Sequence, residues 1–131
     1  MFSQSVRTLP GRYVISLLDQ DTAPTDDWLC AVRAPEGLTV VRPARPGRTG
    51  ADGETWAPLY SGGTAHGLDV PGMLAGLLAP LAAGGVPVFV ASTHHADMVL
   101  VPENRLGLAV GLLRTAGHRV AETDERPPSP T

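Results

Sequence analysis

Lysine is missing altogether, so all ten basic residues are Arg. We attribute that bias to codon usage in a GC-rich genome and hang no mechanism on it. Cysteine is nearly missing as well. The lone Cys30 excludes an internal disulfide, and no basic segment followed by an apolar run and a cleavage site opens the chain. A reducing, cytoplasmic setting is the expectation. Charge of one sign is scarce too: with a net charge of −3 and 18% charged residues, neither a nucleic acid nor a membrane surface is an expected partner. The span of residues 70–93 carries no charge and is long enough to cross a bilayer, but Gly72, Gly76, Gly84 and Gly85 with Pro71, Pro80 and Pro87 would end any helix before it had crossed. What remains is a chain of 131 residues, 43% of them hydrophobic, able to bury a core without metals or disulfides.

Elements follow from apolar periodicity. Residues 12–18 form a buried strand after the Pro10-Gly11 turn signal, and Thr25-Asp26-Asp27 could cap a short helical turn near Trp28. Residues 29–33 and 38–42 read as a hairpin around Ala34-Pro35-Glu36-Gly37. Residues 43–53 are a loop made basic by Arg42, Arg45 and Arg48; without interleaved aromatics it reads as a solvated surface rather than a phosphate or nucleic-acid contact. Residues 55–61 predict a strand entering a glycine-rich loop, 62–67, which lacks the Lys-Ser or Lys-Thr ending and the full spacing of a phosphate loop. Leu74, Leu77, Leu78 and Leu81 then fall on one helical face, with Pro71 at the first turn, Gly84 at the cap and Pro80 threatening a kink. Residues 86–91 and 97–101 predict paired strands, Leu106, Ala109, Val110 and Leu113 a second amphipathic helix closed by Gly117, and residues 118–120 a last strand. The tail from 122, with its prolines, has nothing to bury and is expected to be disordered.

Strand, helix, strand, strand, helix, strand is the split βαβ order of the ferredoxin-like α+β class, with both helices on one side of an antiparallel sheet. The strands at 86–90 and 98–101 are apolar at nearly every position, so both sheet faces want cover. A homodimer is one way to supply it. The N-terminal half repeats part of the order, which suggests two tandem copies, the first abbreviated.

Gly72-Met73-Leu74-Ala75, the run Leu77-Leu78-Ala79-Pro80-Leu81-Ala82, Gly85-Val86-Pro87-Val88-Phe89-Val90, Ser92-Thr93 followed by Asp97, and Leu100-Val101-Pro102-Glu103 resemble ACT-domain proteins related to the cytosolic arginine sensors of animal cells. Leu9-Pro10-Gly11-Arg12-Tyr13 and Ala34-Pro35-Glu36-Gly37-Leu38-Thr39-Val40-Val41 match the first half of small bacterial members that are tandem ACT-like duplications. The resemblance implies an abbreviated ACT-like half with a linker loop at 9–54, a βαββαβ ACT domain at 55–121 and a tail at 122–131. It places a ligand between the loop entering the first helix (Gly67, Leu68, Asp69, Gly72, Met73) and the neighbouring hairpin (Ser92, Thr93, His94, Asp97). Pro71 and Ala96 stand where the group has Thr, and His94 and Met98 where it has aromatic residues, so the ligand's identity is not carried over.

The chemistry of these residues allows two readings. Amide groups at a helix start can receive a carboxylate, and Asp97 can hold an ammonium or guanidinium. Alternatively Gly67 and Gly72 only permit turns, and Ser92, Thr93 and Asp97 stabilise the hairpin. The leading expectation is a non-catalytic regulatory or sensor protein, allosteric in action, that binds an amino acid or similar small metabolite at a contact between ACT-like halves or subunits. It needs no cofactor and works as a homodimer or on a regulated protein partner. A structural interaction module with a vestigial pocket is the alternative. An enzyme is third, with His66, His94, His95 and Asp97 around a metal or Ser92 or Thr93 as nucleophile. Cys30, in an apolar strand, reads as packed rather than reactive.

Overall fold

The computed structural model describes residues 3–23, 27–48, 53–62 and 71–122. The chain divides into two compact units, one made of Gly11–Trp56 and the other of Met1–Pro10 together with Ala57–Thr131.

The chain order is β1 (Ser5–Thr8), β2 (Tyr13–Leu18), β3 (Cys30–Ala34), β4 (Gly37–Pro43), β5 (Trp56–Tyr60), α1 (Met73–Ala83), β6 (Phe89–Ser92), β7 (Asp97–Pro102), α2 (Leu106–Thr115) and β8 (Arg119–Ala121). A single 3-10 turn at Glu103–Arg105 leads into α2.

In the unit Gly11–Trp56, β4 pairs antiparallel with both β2 and β3, and Tyr13 pairs with Trp56. The expected hairpin forms, with Ala34 opposite Gly37 across Pro35 and Glu36. The expected helical turn near Trp28 does not. Thr25 and Asp26 lie outside the described residues, and Asp27, Trp28 and Leu29 are not helical. Leu29 already donates its N–H to the Val41 carbonyl at 2.8 Å, so the backbone there is committed to extended pairing.

In the other unit β7 pairs with β6 and β5, β5 with β1, and β1 in parallel with β8. Both helices cover one face: Val6, Leu59, Val99, Val101 and Val120 from the strands pack with Leu77, Leu81, Ala109, Val110 and Leu113 from the helices. Burying Leu81 completely is worth about 1.5–3 kcal/mol. This is the expected ferredoxin-like layering with one departure. The N-terminal strand β1 lies between β5 and β8, which that topology would otherwise make neighbours. On the face away from the helices Leu100 is fully buried and Met98 and Phe89 are half-buried.

Both helices end alike. Past the Gly84 cap, Gly85 (φ 75°) turns left-handed, its N–H bonding to the Ala82 carbonyl and that of Val86 to the Leu81 carbonyl. Gly117 (φ 99°) does the same for α2, with Gly117 N–H to Arg114 and His118 N–H to Leu113. These are Schellman closures. They explain why the strand expected from residue 86 starts at Phe89, since Val86 is still bound to the helix. They also place His118.

Candidate functional site at one end of the sheet

The end of β5, the start of α1, the turn between β6 and β7, and the starts of β1 and β8 share one end of this unit's sheet, as the strand registers and the bond from Gln4 to Met73 require. Two hydrogen-bonded clusters form there.

The first surrounds Asp97, which is 4% exposed. Ser92 at the end of β6 donates its hydroxyl to Asp97 Oδ1 at 2.9 Å. Ser61, one residue past β5 and 1% exposed, exchanges backbone bonds with Asp97: its N–H donates to the Asp97 carbonyl at 3.0 Å, and its Oγ accepts the Asp97 N–H at 2.9 Å. A carboxylate removed from water in this way favours a cationic partner, because a charge-assisted bond is strongest where water is excluded.

Thr93 closes the turn. Its N–H donates to the Ala96 carbonyl, and its Oγ1 accepts the N–H groups of Ala96 (3.0 Å) and His95 (3.3 Å). The hairpin-stabilising reading therefore describes Thr93, whose polar groups close the turn. Thr93→Val is expected to cost about 1–2 kcal/mol in denaturant unfolding, since the Oγ1 acceptor is lost without a change in shape; an unchanged midpoint would show that the turn does not depend on that oxygen.

His94 and His95 are exposed, ring edge to ring face at 4.4 Å between centroids. Among the described residues no three His, Cys, Asp or Glu side chains gather as a metal would require. His66 lies outside them. Cys30 is half-buried, and burial pushes its thiol pKa up, which disfavours the reactive thiolate. Of the three arginines expected to make the 43–53 loop basic, Arg42 sits in β4 and donates to the Ser16 hydroxyl at 3.1 Å, and Arg48 donates to the Pro43 carbonyl at 2.9 Å, so both are used internally.

The second cluster surrounds the start of α1. Gly72 caps the helix with φ 84°, a left-handed conformation that favours glycine, and a Cβ there would meet nothing within 4 Å. Pro71 therefore precedes the cap instead of sitting in the first turn. Met73 is buried, and its carbonyl accepts the Gln4 side-chain N–H at 2.6 Å. Of the residues expected to bind ligand, Ser92 and Asp97 touch each other, Thr93 closes the turn beside them, Gly72 and Met73 open the helix, and His94 stands exposed. Gly67, Leu68 and Asp69 lie outside the described residues. Sequence reasoning missed Ser61, Gln4 and His118. For Ser61 there was a signal, a small polar residue directly after a strand and before a glycine pair; for Gln4 there was none.

An α+β sheet with two helices on one face is a fold of the ferredoxin-like class, and here a helix start and a buried carboxylate lie at the same end of the sheet. Residues 53–115 match the ACT domain family, and this part of the chain is an ACT domain. It is 33% identical over 76 residues to the cytosolic arginine sensor for mTORC1 subunit 1 of Mus musculus, an alignment covering 58% of this chain and 23% of that protein. The human counterpart is 35% identical over 66 residues, 50% of this chain and 20% of that one. The chain thus spans less than a quarter of the curated relatives it matches. Among solved structures, a protein from Agrobacterium tumefaciens aligns with TM-score 0.79 at 24% identity, covering 97% of this chain and 98% of that one. The aspartokinase alpha and beta subunits align at 0.62 and 12% identity, covering 88% and 98%. Both likenesses concern the fold.

Proposed function

We propose that this chain is a non-catalytic regulatory protein that binds an amino acid or a similar small metabolite where two ACT modules from two copies of the chain meet. The observation that carries the reading is Asp97, a carboxylate 4% exposed at the end of the sheet, bonded by Ser92 and lying inside the stretch that matches the ACT family. It offers an anionic partner for an ammonium or guanidinium group, while the start of α1 offers N–H groups and positive dipole character to a carboxylate. In this reading Gly67, Leu68, Asp69, Gly72 and Met73 line one side, and Ser92, Thr93, His94 and Asp97 the other. The related animal proteins named as arginine sensors make a cationic amino acid the first ligand to try. Binding acts by favouring one arrangement of the modules over another, so the protein is allosteric without chemistry of its own. The lone Cys30 fits a reducing, cytoplasmic setting. No described helix is long and apolar enough to cross a membrane.

Thermal-shift measurements with each proteinogenic amino acid, with divalent metals in parallel arms, test this. Stabilisation by one or a few amino acids, with a dimer in light scattering, is the expected result. Silence toward every amino acid defeats it. One observation favours the interaction-module reading: Leu17 (55% exposed) and Val32 (50%) flank Thr39 in a row across β2, β4 and β3, an apolar strip on one sheet face. A stable complex with another protein and no amino-acid response would select it.

A further inference from the structure

Pro80 removes a donor from α1, and a distant residue replaces it. In an α-helix the N–H of residue 80 would bond to the carbonyl of residue 76, but proline has no N–H to give. Gly76 is buried, so its carbonyl cannot turn to water instead. His118, delivered beneath α1 by the Schellman closure of α2, places Nε2 at 2.8 Å from the Gly76 carbonyl. Its Nδ1 accepts the backbone N–H of Gln4 at 3.1 Å. Since Nδ1 accepts, Nε2 carries the proton and donates: the two bonds together select one neutral tautomer. A Cβ at residue 76 would stand 3.3 Å from Gln4 Nε2, so glycine spares Gln4 a tight contact, while His118 Cε1 would be at an ordinary 3.9 Å. Gln4, itself 1% exposed, adds the bond to the Met73 carbonyl and joins β8 through its own carbonyl, which accepts the Arg119 N–H at 2.9 Å.

We propose that Gln4 and His118 are positioning residues that hold the first turn of α1 at the sheet end, with His118 serving as the surrogate donor for the bond Pro80 cannot make. The ligand consequence rests on the function proposed above: the helix start is one side of that site, so its affinity depends on an N-terminal strand that does not touch ligand.

A double-mutant cycle separates this role from plain packing. His118→Phe keeps a ring and loses both polar atoms; in the native background it is expected to lower Tm by roughly 5–10 °C, the effect of an unpaired buried carbonyl. In the Pro80→Ala background residue 80 supplies the N–H, and the same substitution is expected to cost about half as much or less. Equal losses in both backgrounds overturn the surrogate-donor role. Hydrogen exchange gives a second readout independent of any ligand: amides of Ala75, Gly76 and Leu77 are expected to exchange faster in His118→Phe and in Gln4→Met, with those of Val110 and Leu113 unchanged. Uniform acceleration across both helices, or none, overturns the positioning role. The ligand arm uses whichever amino acid stabilises the native chain, with Gln4→Met expected to weaken it about tenfold at unchanged far-UV circular dichroism, by the loss of a bond worth about 1.4 kcal/mol. Unchanged affinity would sever the lock from the site. If no amino acid stabilises the native chain, the function proposed above fails, and the cycle and the exchange pattern still decide the lock.

Discussion

Gly37→Ala is expected to destabilise the Gly11–Trp56 unit by about 2–4 kcal/mol, more than any surface substitution should. Gly37 has φ 145°, a backbone conformation that L side chains rarely adopt, and a Cβ there would stand 2.5 Å from the Leu18 carbonyl oxygen. That neighbour is backbone, held in the β2–β4 ladder by the pairing of Leu18 with Leu38, so it cannot swing aside as a side chain would. Pro35 and Glu36 both keep negative φ, so the turn is not of the primed kind that suits a two-residue hairpin, and Gly37 absorbs the mismatch. By contrast Gly72, also at positive φ, has open space around it, and its substitution costs only conformational strain of about 1 kcal/mol. Both tryptophans, Trp28 and Trp56, belong to the Gly11–Trp56 unit, while α1 and α2 belong to the other. Tryptophan fluorescence therefore follows the affected unit in a denaturant titration and the far-UV helix signal follows the other. A fluorescence midpoint equal to that of the native chain would mean that β4 can shift away from Leu18 at little cost.

The elements that sequence disclosed were those whose periodicity is a consequence of burial on one face. Leu74, Leu77, Leu78 and Leu81, and Leu106, Ala109, Val110 and Leu113, all lie in or against the core, because helical spacing and a one-sided sheet contact impose the same pattern. β1 was silent for a matching reason. Its inward positions, continued one residue back, are Gln4, Val6 and Thr8, all buried, and two of the three are polar, so an alternation that exists in space does not exist in hydrophobicity. Tertiary context supplied what pattern lacked: β1 pairs on both sides, and Gln4 makes bonds that only β8 and α1 can provide.

The site divides in the same way. Ser92 and Asp97 were legible because a hairpin with four residues between its two strands brings their ends together whatever surrounds it. The bond from His118 to Gly76 was not, although Pro80 and Gly76 both stood out in sequence. The missing N–H at residue 80 announces an orphan carbonyl at residue 76, but which residue answers it depends on how α2 ends, 37 residues later at Gly117. A helix-breaking residue inside an intact helix is thus a pointer to a long-range donor, and here that donor ties the helix start to the N-terminal strand.

Asp97→Asn is expected to abolish amino-acid-dependent stabilisation while leaving the unliganded protein close to its native Tm. The substitution keeps an acceptor for Ser92, and the bonds with Ser61 run through the Asp97 backbone, so these ties of the hairpin survive. What is removed is negative charge in a position 4% exposed, and a charge-assisted bond to an ammonium or guanidinium is worth about 1.5–3 kcal/mol, or roughly 10- to 100-fold in affinity. At a ligand concentration near 100 times Kd the native chain gains about 2.7 kcal/mol; after a 100-fold loss of affinity the same concentration gives only about 0.4 kcal/mol, which thermal shift barely registers. The effect distinguishes ligand classes too. A cationic amino acid loses most, whereas a neutral one whose ammonium alone faces Asp97 retains whatever its side chain contributes. Should Asp97→Asn respond to the stabilising amino acid just as the native chain does, the carboxylate belongs to the hairpin alone, and the ligand must be sought at the other end of the unit or in the apolar strip of Leu17 and Val32.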